Sequence, residues 1–398
     1  MTTPSGLPII RLRNGADKRF KNGHSWVYSN EIQMTDETTA LSAGSIVQLV
    51  RHDKKELGVG TFTPNSLIAY RGFTRTGTKG IDKRFFKNRI TRAVALRDAV
   101  FSEPHYRLIH GDADGLPGLV VDRFGDTVVI QTSTAGMDLL IDYVVSALKS
   151  VIAPKHILLN NEGGFRNLEG LDTLSKTLQG EISVPLEVRE NGLTFYADPL
   201  NGQKTGWFFD QRCNREFVAG LAKGRLVVDL YSYAGGFGVT CAAKGAESVL
   251  MIDRSEPALE LARKAAEANG VEKVCQFSAT EVFGALARFA EGKRRFGLVI
   301  ADPPAFIKTK KDVGVGIKGY KKLARMSATA VEPLGFLMIA SCSHNMYEDR
   351  FIEEISRGIG QAGRSPRLIY RAGAGPDHPV HPFMPETEYL KALVFQLD

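Results

Sequence analysis

Residues 225–240, RLVVDLYSYAGGFGVT, decide the fold. Three apolar residues lead to Asp229, and Gly235-Gly236-Phe237-Gly238 opens the next segment, so a short buried strand passes into a helix across a turn where a ligand can approach bare backbone. The spacing is not Gly-x-Gly-x-x-Gly. A dinucleotide pyrophosphate is therefore disfavoured, and a nucleoside ligand whose charged end is an amino acid suits the turn better.

Outward from this stretch the alternation continues. SVLMID (248–253), a helix PALELARKAAEANG (257–270), VCQFSA (274–279), a helix around 281–291, FGLVIADPP (296–304), a helix near 319–331 and GFLMIASCS (335–343) follow in order. Buried strands separated by amphipathic helices predict an α/β domain with a parallel, doubly wound sheet. SPRLIYRAG (365–373) and TEYLKALVFQLD (387–398) have no helix long enough for a crossover between them, so the sheet should end in an antiparallel edge pair, which is unusual for a nicotinamide-binding fold. Asp253 closes the second strand 24 residues after Asp229, where a carboxylate can accept hydrogen bonds from both ribose hydroxyls. A helix cap would account for it as well, although Ser255 could serve as that cap.

Upstream, residues 7–75 read as short strands broken by turns, the pattern of a small barrel. Trp26, Tyr28, Phe62, Tyr70 and Phe73 interleave there with Arg11, Arg13, Lys18, Arg19, Lys21, Arg71 and Arg75, as a stacking and phosphate-binding surface requires, though such aromatics are more often core. A helix over 81–100 places Phe85, Phe86, Ile90, Val94 and Leu96 on one stripe and Lys83, Arg84, Lys87, Arg89, Arg92 and Arg97 opposite. The Gly-rich turn and two strands of 111–132, a helix over 137–151, a strand at 156–160 and a hairpin at 186–198 turning on Asn191-Gly192 make a central α+β region without catalytic residues of its own.

The chain is 398 residues long, enough for two or three domains, and its 43% hydrophobic and 24% charged content excludes a disordered, collagenous or coiled-coil protein. No apolar run reaches the roughly 18 to 20 residues of a membrane span. MTTPSGLPIIRLRNG (1–15) lacks a secretory signal pattern, so a cytoplasmic location is expected. Cys213, Cys241, Cys275 and Cys342 form no Cys-x-x-Cys pair, which disfavours a zinc ribbon or disulfide framework, and no metal is expected. Residues 1–100 hold 17 Lys and Arg against 8 Asp and Glu, whereas the remainder holds 34 against 36. A basic N-terminal module on a near-neutral body points to a polyanion, with nucleic acid first.

Two strand ends carry the candidate chemistry. Asp302-Pro303-Pro304-Ala305-Phe306 ends the fourth strand, in the crevice where open α/β sheets bind ligands, and its prolines stiffen the turn. Ser341-Cys342-Ser343-His344 ends the next strand, so Cys342 should face the same crevice. A thiolate added to C6 of cytosine makes C5 nucleophilic enough to take a methyl group, and β-elimination then frees the cysteine. His344 or nearby lysines are candidates to lower the thiol pKa. A buried strand cysteine is the plainer reading.

The acidic strand ends, glycine turn and Asp-Pro-Pro resemble the class I S-adenosylmethionine-dependent methyltransferases. NGHSWVYSNEI (22–32), GDADGLPGLVVDRFGD (111–126), QKTGWFFDQR (203–212), DLYSYAGGFG (229–238), DPPAF (302–306), GYKKL (319–323), SCS (341–343) and DHP (377–379) appear in an order that resembles the bacterial 23S ribosomal RNA cytosine-C5 methyltransferases with an N-terminal PUA domain. The resemblance implies a PUA-like β-barrel over 1–78, a small α+β central domain over 79–190, and over 191–398 a Rossmann-like class I methyltransferase domain, seven-stranded with an antiparallel terminal strand. It implies S-adenosylmethionine as cofactor, held by Asp229, Ser232, Gly235, Gly236, Asp253 (ribose), Glu281 or the backbone near Val282 (adenine), Asp302 and Gln211, with Lys204 near the methionine end. Cys342 would be the nucleophile and Asp302 would bind cytosine N3 and N4. Many relatives carry a second cysteine after the fourth strand to release product, and here that position reads Asp-Pro-Pro. The partner implied is 23S ribosomal RNA, its target base unpaired or extruded, with Arg11, Arg13, Lys18, Arg19 and Lys21, and Lys308 and Lys310 of the KTKK loop, available to grip it. A homodimer is left open.

Two rivals remain. A guanine-N2 ribosomal RNA methyltransferase would share Asp-Pro-Pro but have no use for Cys342. An RNA-binding protein without catalysis would fail to bind S-adenosylmethionine.

Overall fold

A computed structural model describes residues 6–75, 80–162 and 164–398. The first five residues of the N-terminal stretch and the boundary expected at 78/79 lie outside the described residues. Two compact units form, the second comprising Val184–Gly375 and Glu388–Asp398.

The second unit is built on a seven-stranded sheet: β1 (Leu226–Leu230), β2 (Ser248–Asp253), β3 (Cys275–Ala279), β4 (Phe296–Ala301), β5 (Val331–Ser341), β6 (Pro366–Ala372) and β7 (Lys391–Leu397). Their spatial order is β3-β2-β1-β4-β5-β7-β6, parallel except that β7 runs antiparallel to both neighbours. All six residues of β4 are buried, as a strand covered on both faces requires. Helices α1 (Gly236–Ala243), α2 (Glu256–Ala268), α3 (Val282–Glu291), α4 (Val313–Thr329) and α5 (Glu348–Gln361) supply that cover. Helix α2 starts where Ser255 accepts from the Ala258 N–H at 3.4 Å with Pro257 behind it, and it buries Ala258, Leu259, Ala262, Ala265 and Ala266. The expected antiparallel pair at the sheet edge is present. The hairpin Leu186–Glu190/Leu193–Ala197 turns on Asn191 and Gly192, both at positive φ, and lies wholly within this unit.

Helix α5 and a helix at Arg212–Ala219 have no counterpart in the sequence reading. In α5 the buried face comprises Phe351, Ile355 and Ile359 but also Glu354, which meets Arg350 at 2.7 Å and Lys321 at 3.1 Å. A buried, paired glutamate interrupts the apolar stripe by which helices are found.

The first unit comprises the chain up to Ser183 together with Pro376–Thr387. Strands Ile9–Arg11, Trp26–Val27, Ser45–Val50, Glu56–Phe62 and Tyr70–Gly72 form one sheet, and the Arg13 N–H donating to Glu31 O (2.8 Å) and the Gln33 N–H to Arg11 O (2.8 Å) tie its two ends together. Phe62, Tyr70 and Phe73 are buried in this unit, so the stacking role considered for them is replaced by packing; only Trp26 and Tyr28 are partly accessible. A second five-stranded sheet, His105–His110 through Leu174–Gln179, shares a core with the helices Lys83–Val100 and Ile141–Val151 through Phe86, Ile90, Val144 and Leu148. Arg97, expected on the solvated face, is fully buried, and Leu96, expected on the apolar stripe, is 42% exposed. Arg97 is held inside by a bidentate pair with Asp114 at 2.7 and 2.9 Å. No described helix is long and apolar enough to cross a membrane.

Candidate active site

Asp229, Asp302, Asp210 and Cys342 meet at the carboxyl ends of β1, β4 and β5. Asp229 is 1% exposed, and its Oδ2 accepts from the Gly238 N–H at 2.8 Å. Burial, aided by the Asp302 charge, nevertheless pushes its carboxyl up to about 8. Asp302 is pushed up to about 7 by burial and then by Asp210, against the opposing pull of Arg215, a side-chain hydrogen bond from Gln211, and Lys204. Asp210 in turn accepts from the Tyr389 hydroxyl. The site thus sets three carboxylates against Arg215 and Lys204.

Cys342 is the half-buried residue between two buried serines. Ser341 Oγ donates to the Tyr320 hydroxyl at 2.8 Å, and that hydroxyl is 2.9 Å from Ser343 Oγ, which accepts from the Ile307 N–H at 3.2 Å. Three of the sequence motifs, DPPAF with its following Ile307, GYKKL and SCS, therefore share one hydroxyl network that fixes the backbone on both sides of the thiol. Lys391, directly across from Ser341 in the β5/β7 register, donates to Ser343 O at 2.8 Å and Tyr389 O at 2.7 Å.

The thiol itself differs from expectation. Burial raises Cys342 above its ordinary value; Lys204 lowers it, and Asp302 and Asp210 raise it further. His344 does not supply the expected positive charge, because desolvation, Lys391 and Lys204 lower its own pKa and leave the ring neutral at pH 7. Lys391 is pushed down to about 8 by burial, with Cys342 acting in the opposite sense. Lys204 and Lys391 are thus the cations that a thiolate here would face.

The loop carrying Lys204, Asp210 and Gln211 is pinned by Glu190, which accepts from Trp207 Nε1 at 3.1 Å and from Arg215 at 2.6 Å. Arg215 also donates to Phe208 O at 2.8 Å and lies 4.5 Å from the Trp207 ring centroid. Neither Glu190 nor Arg215 has a counterpart in the sequence reading: one ends the hairpin's first strand and the other sits on the short helix 25 residues later.

At the turn after β1, Tyr231 and Tyr233 adopt positive φ (62° and 49°), strain that the surrounding bonds must hold. Asp253 Oδ2 accepts from the Tyr233 N–H at 3.0 Å and Oδ1 from the Ser255 N–H at 2.9 Å. Ser255, not Asp253, caps α2. The glycines serve the protein's own packing: a Cβ at Gly235 (φ +79°) would lie 2.8 Å from Ala262 Cβ, and one at Gly236 2.5 Å from Arg215 Nε. Asp229 Oδ1 and Ser232 Oγ, by contrast, are buried and have no hydrogen-bond partner among the described residues. An ammonium beside Asp229, a donor to Ser232 and a pair of ribose hydroxyls at Asp253 match S-adenosylmethionine. Glu281 is exposed ahead of α3 without a capping bond, and its charge reaches the Tyr231 hydroxyl.

The expected RNA-gripping residues fall into two groups. In the first unit Arg19 pairs with Glu31 at 2.8 Å, Lys21 pairs with Asp17, and Arg13 donates to Ile32 O at 3.1 Å, which leaves Lys18 exposed and Arg11 half-buried. In the second unit Lys308 and Lys310 are exposed just before α4.

Known proteins resemble the chain along nearly all of it. A family model for S-adenosylmethionine-dependent methyltransferases matches residues 156–396, and one for PUA-like domains matches residues 10–75. Ribosomal RNA large subunit methyltransferase I of Pseudoalteromonas atlantica is 33% identical over 390 residues, covering 97% of this chain and 98% of that protein. The Shewanella denitrificans protein of the same name is 33% identical over the same shares. Among solved structures, a candidate S-adenosylmethionine-dependent methyltransferase from Streptococcus mutans superposes with a TM-score of 0.84 at 21% identity, over 98% of this chain and 100% of that one. A second methyltransferase structure, complexed with S-adenosylhomocysteine, gives 0.83 at 21% identity over 98% and 99%. These two likenesses speak to the fold.

Proposed function

Because the chain belongs to the S-adenosylmethionine-dependent methyltransferase family and, with its PUA-like domain, to the large-subunit ribosomal RNA methyltransferases I, we propose that it methylates C5 of a cytosine through a covalent adduct on Cys342. The observation that carries this reading is the half-buried thiol held beside a protonatable aspartate by the Tyr320–serine network.

The bound cofactor supplies an electrophilic methyl group on sulfonium, whose charge the acidic pocket favours. Cys342, facing Lys204 and Lys391, adds as thiolate to cytosine C6. Electrons displaced from the C5–C6 bond reach N3, which takes a proton from Asp302; a carboxyl raised to about 7 is suited to hold that proton near neutrality. The C4–C5 double bond formed in the same shift supplies the electron pair with which C5 takes the methyl group. Loss of the C5 proton to a base, departure of Cys342 as thiolate and return of the N3 proton to Asp302 restore the aromatic ring. Asp253 holds ribose, Asp229 and Ser232 the amino-acid end, and Gln211 orients Asp302. Lys308, Lys310, Lys18 and Arg11 hold phosphates.

Ribosomal RNA bearing 5-fluorocytidine tests the chemistry, since fluorine cannot leave C5 as a cation and the adduct persists. A denaturation-resistant complex is expected from the wild type and none from Cys342→Ala, with methyl transfer down at least about 1,000-fold. Methylation by Cys342→Ala at the wild-type rate would overturn the mechanism and favour an amino-group acceptor.

A further inference from the structure

The chain segment Pro376–Thr387 leaves the second unit's sequence to become part of the first. It is fixed there at both ends. Asp377 O accepts from Arg97 at 2.8 Å and Asp377 Oδ2 from the Arg107 N–H at 3.0 Å, while Met384 S accepts from Ser25 Oγ at 3.1 Å and Glu386 faces His24 Nε2 at 3.4 Å. Between these anchors Phe383 is 56% exposed. Its placement is specified on the other side too: Gly23 has φ +121°, and a Cβ there would come within 2.4 Å of the Phe383 ring. A firmly held aromatic ring with an open face is an uncommon use of phenylalanine.

Clefts lie on both sides of the ring, one of about 350 Å³ lined by Lys18, Arg19 and Asn22, the other of about 400 Å³ lined by Arg75, Arg89 and His381. Beside the second, Asp112 accepts from Ser25 Oγ at 2.8 Å. Among the described residues no carboxylate lies within 4.0 Å of Arg75, Arg89 or Arg92, whereas Arg97 on the same helix has its bidentate partner. Burial and the nearby charges of Arg92 and Arg75 lower the Arg89 pKa, the signature of cations brought together without a counter-ion.

We propose that Phe383 and the arginine cleft form a nucleotide site for single-stranded RNA, one base stacking on the ring while Arg75 and Arg89 hold the adjoining phosphate. The site rests on ribosomal RNA being the substrate and adds where the strand is gripped outside the methyl-transfer pocket. A flat ring beside paired guanidinium groups binds any base by its face and the backbone by its charge.

Anisotropy titration of the full-length protein with a fluorescent single-stranded ribosomal RNA fragment tests it. Phe383→Leu, which keeps an apolar contact with Gly23 but removes the π face, should raise Kd about tenfold, and Phe383→Tyr should restore it. Arg75→Gln and Arg89→Gln should each reduce the slope of log affinity against log salt by about one. Cofactor binding by calorimetry and the thermal midpoint should stay unchanged in all four variants, which separates this site from misfolding. Wild-type affinity and salt slope in Phe383→Leu and Arg89→Gln would overturn the site while leaving the RNA substrate intact. A wild-type protein that binds no RNA would overturn the substrate reading and the site with it.

Discussion

The pocket at the end of the seven-stranded sheet and the cleft beside Phe383 concentrate charges of opposite sign. The first gathers Asp229, Asp302 and Asp210, with carboxyl pKa values pushed up to about 8 and 7 for the first two; the second gathers Arg75 and Arg89, which donate to Gly23 O and Phe73 O and have no carboxylate within 4.0 Å among the described residues. Elsewhere the protein pairs such groups, as Arg97 with Asp114 or Arg107 with Asp122. The difference teaches how to tell a structural charge from a site: the structural one has its partner in the chain, and the site is complete only when its ligand brings one.

The sharpest way to break that comparison is on the single helix that carries both kinds of arginine. Arg97→Leu strands Asp114 in the interior and should cost about 3 to 5 kcal/mol, whereas Arg89→Gln should change stability by no more than about 0.5 kcal/mol. Denaturant titration checks both, and equal losses would erase the distinction.

Cofactor affinity probes the acidic pocket. With Asp229 and Asp302 titrating above the unfolded carboxyl value of 3.8, the folded protein binds more protons than the unfolded chain between pH of about 4 and 8, so the cofactor-free protein should lose stability as pH rises through that window. A cationic ligand favours the ionised carboxylates, so its affinity should rise from pH 6 to 8 by up to about tenfold per unit. Calorimetry in buffers of different ionisation enthalpy should detect proton release, and Asp229→Asn should shrink it.

A kinetic profile sharpens the picture further. Adduct formation with 5-fluorocytidine RNA requires ionised Cys342 and protonated Asp302. Since the thiol titrates above its ordinary value and Asp302 near 7, the single-turnover rate should climb about tenfold per unit below pH 7 and then level off, because gain of thiolate is cancelled by loss of the carboxyl proton. In Asp302→Asn the rate should be lower and should keep climbing beyond pH 7. The smallest effect is expected at Lys21, whose charge Asp17 already meets: Lys21→Gln should change RNA affinity less than about twofold in the same anisotropy titration.

The sheet was legible because its signals are local. Strands such as FGLVIA are buried on both faces, and Asp229, Asp253 and Asp302 stand at strand ends that any doubly wound order brings together. What sequence could not show depends on distant pairing. Arg97 sits inside and Leu96 outside because Asp114 waits in the neighbouring turn; α5 is hidden by Glu354, whose partners lie on α4 and on its own helix; Glu190 and Arg215 fix the 203–212 loop from either side of it. Cys342 was found by its strand end, but its electrostatic setting was not, since Lys391 comes from the last strand and His344, its neighbour in sequence, stays neutral.

Because Pro376–Thr387 belongs to the first unit, that unit is assembled from two stretches of chain separated by nearly the whole of the second. Phe383, in the first unit, precedes Lys391, which β7 seats beside the thiol in the second, by only eight residues. Deleting residues 376–398 should therefore take a piece from each unit at once, so a single short excision should loosen both folds together in denaturant titration.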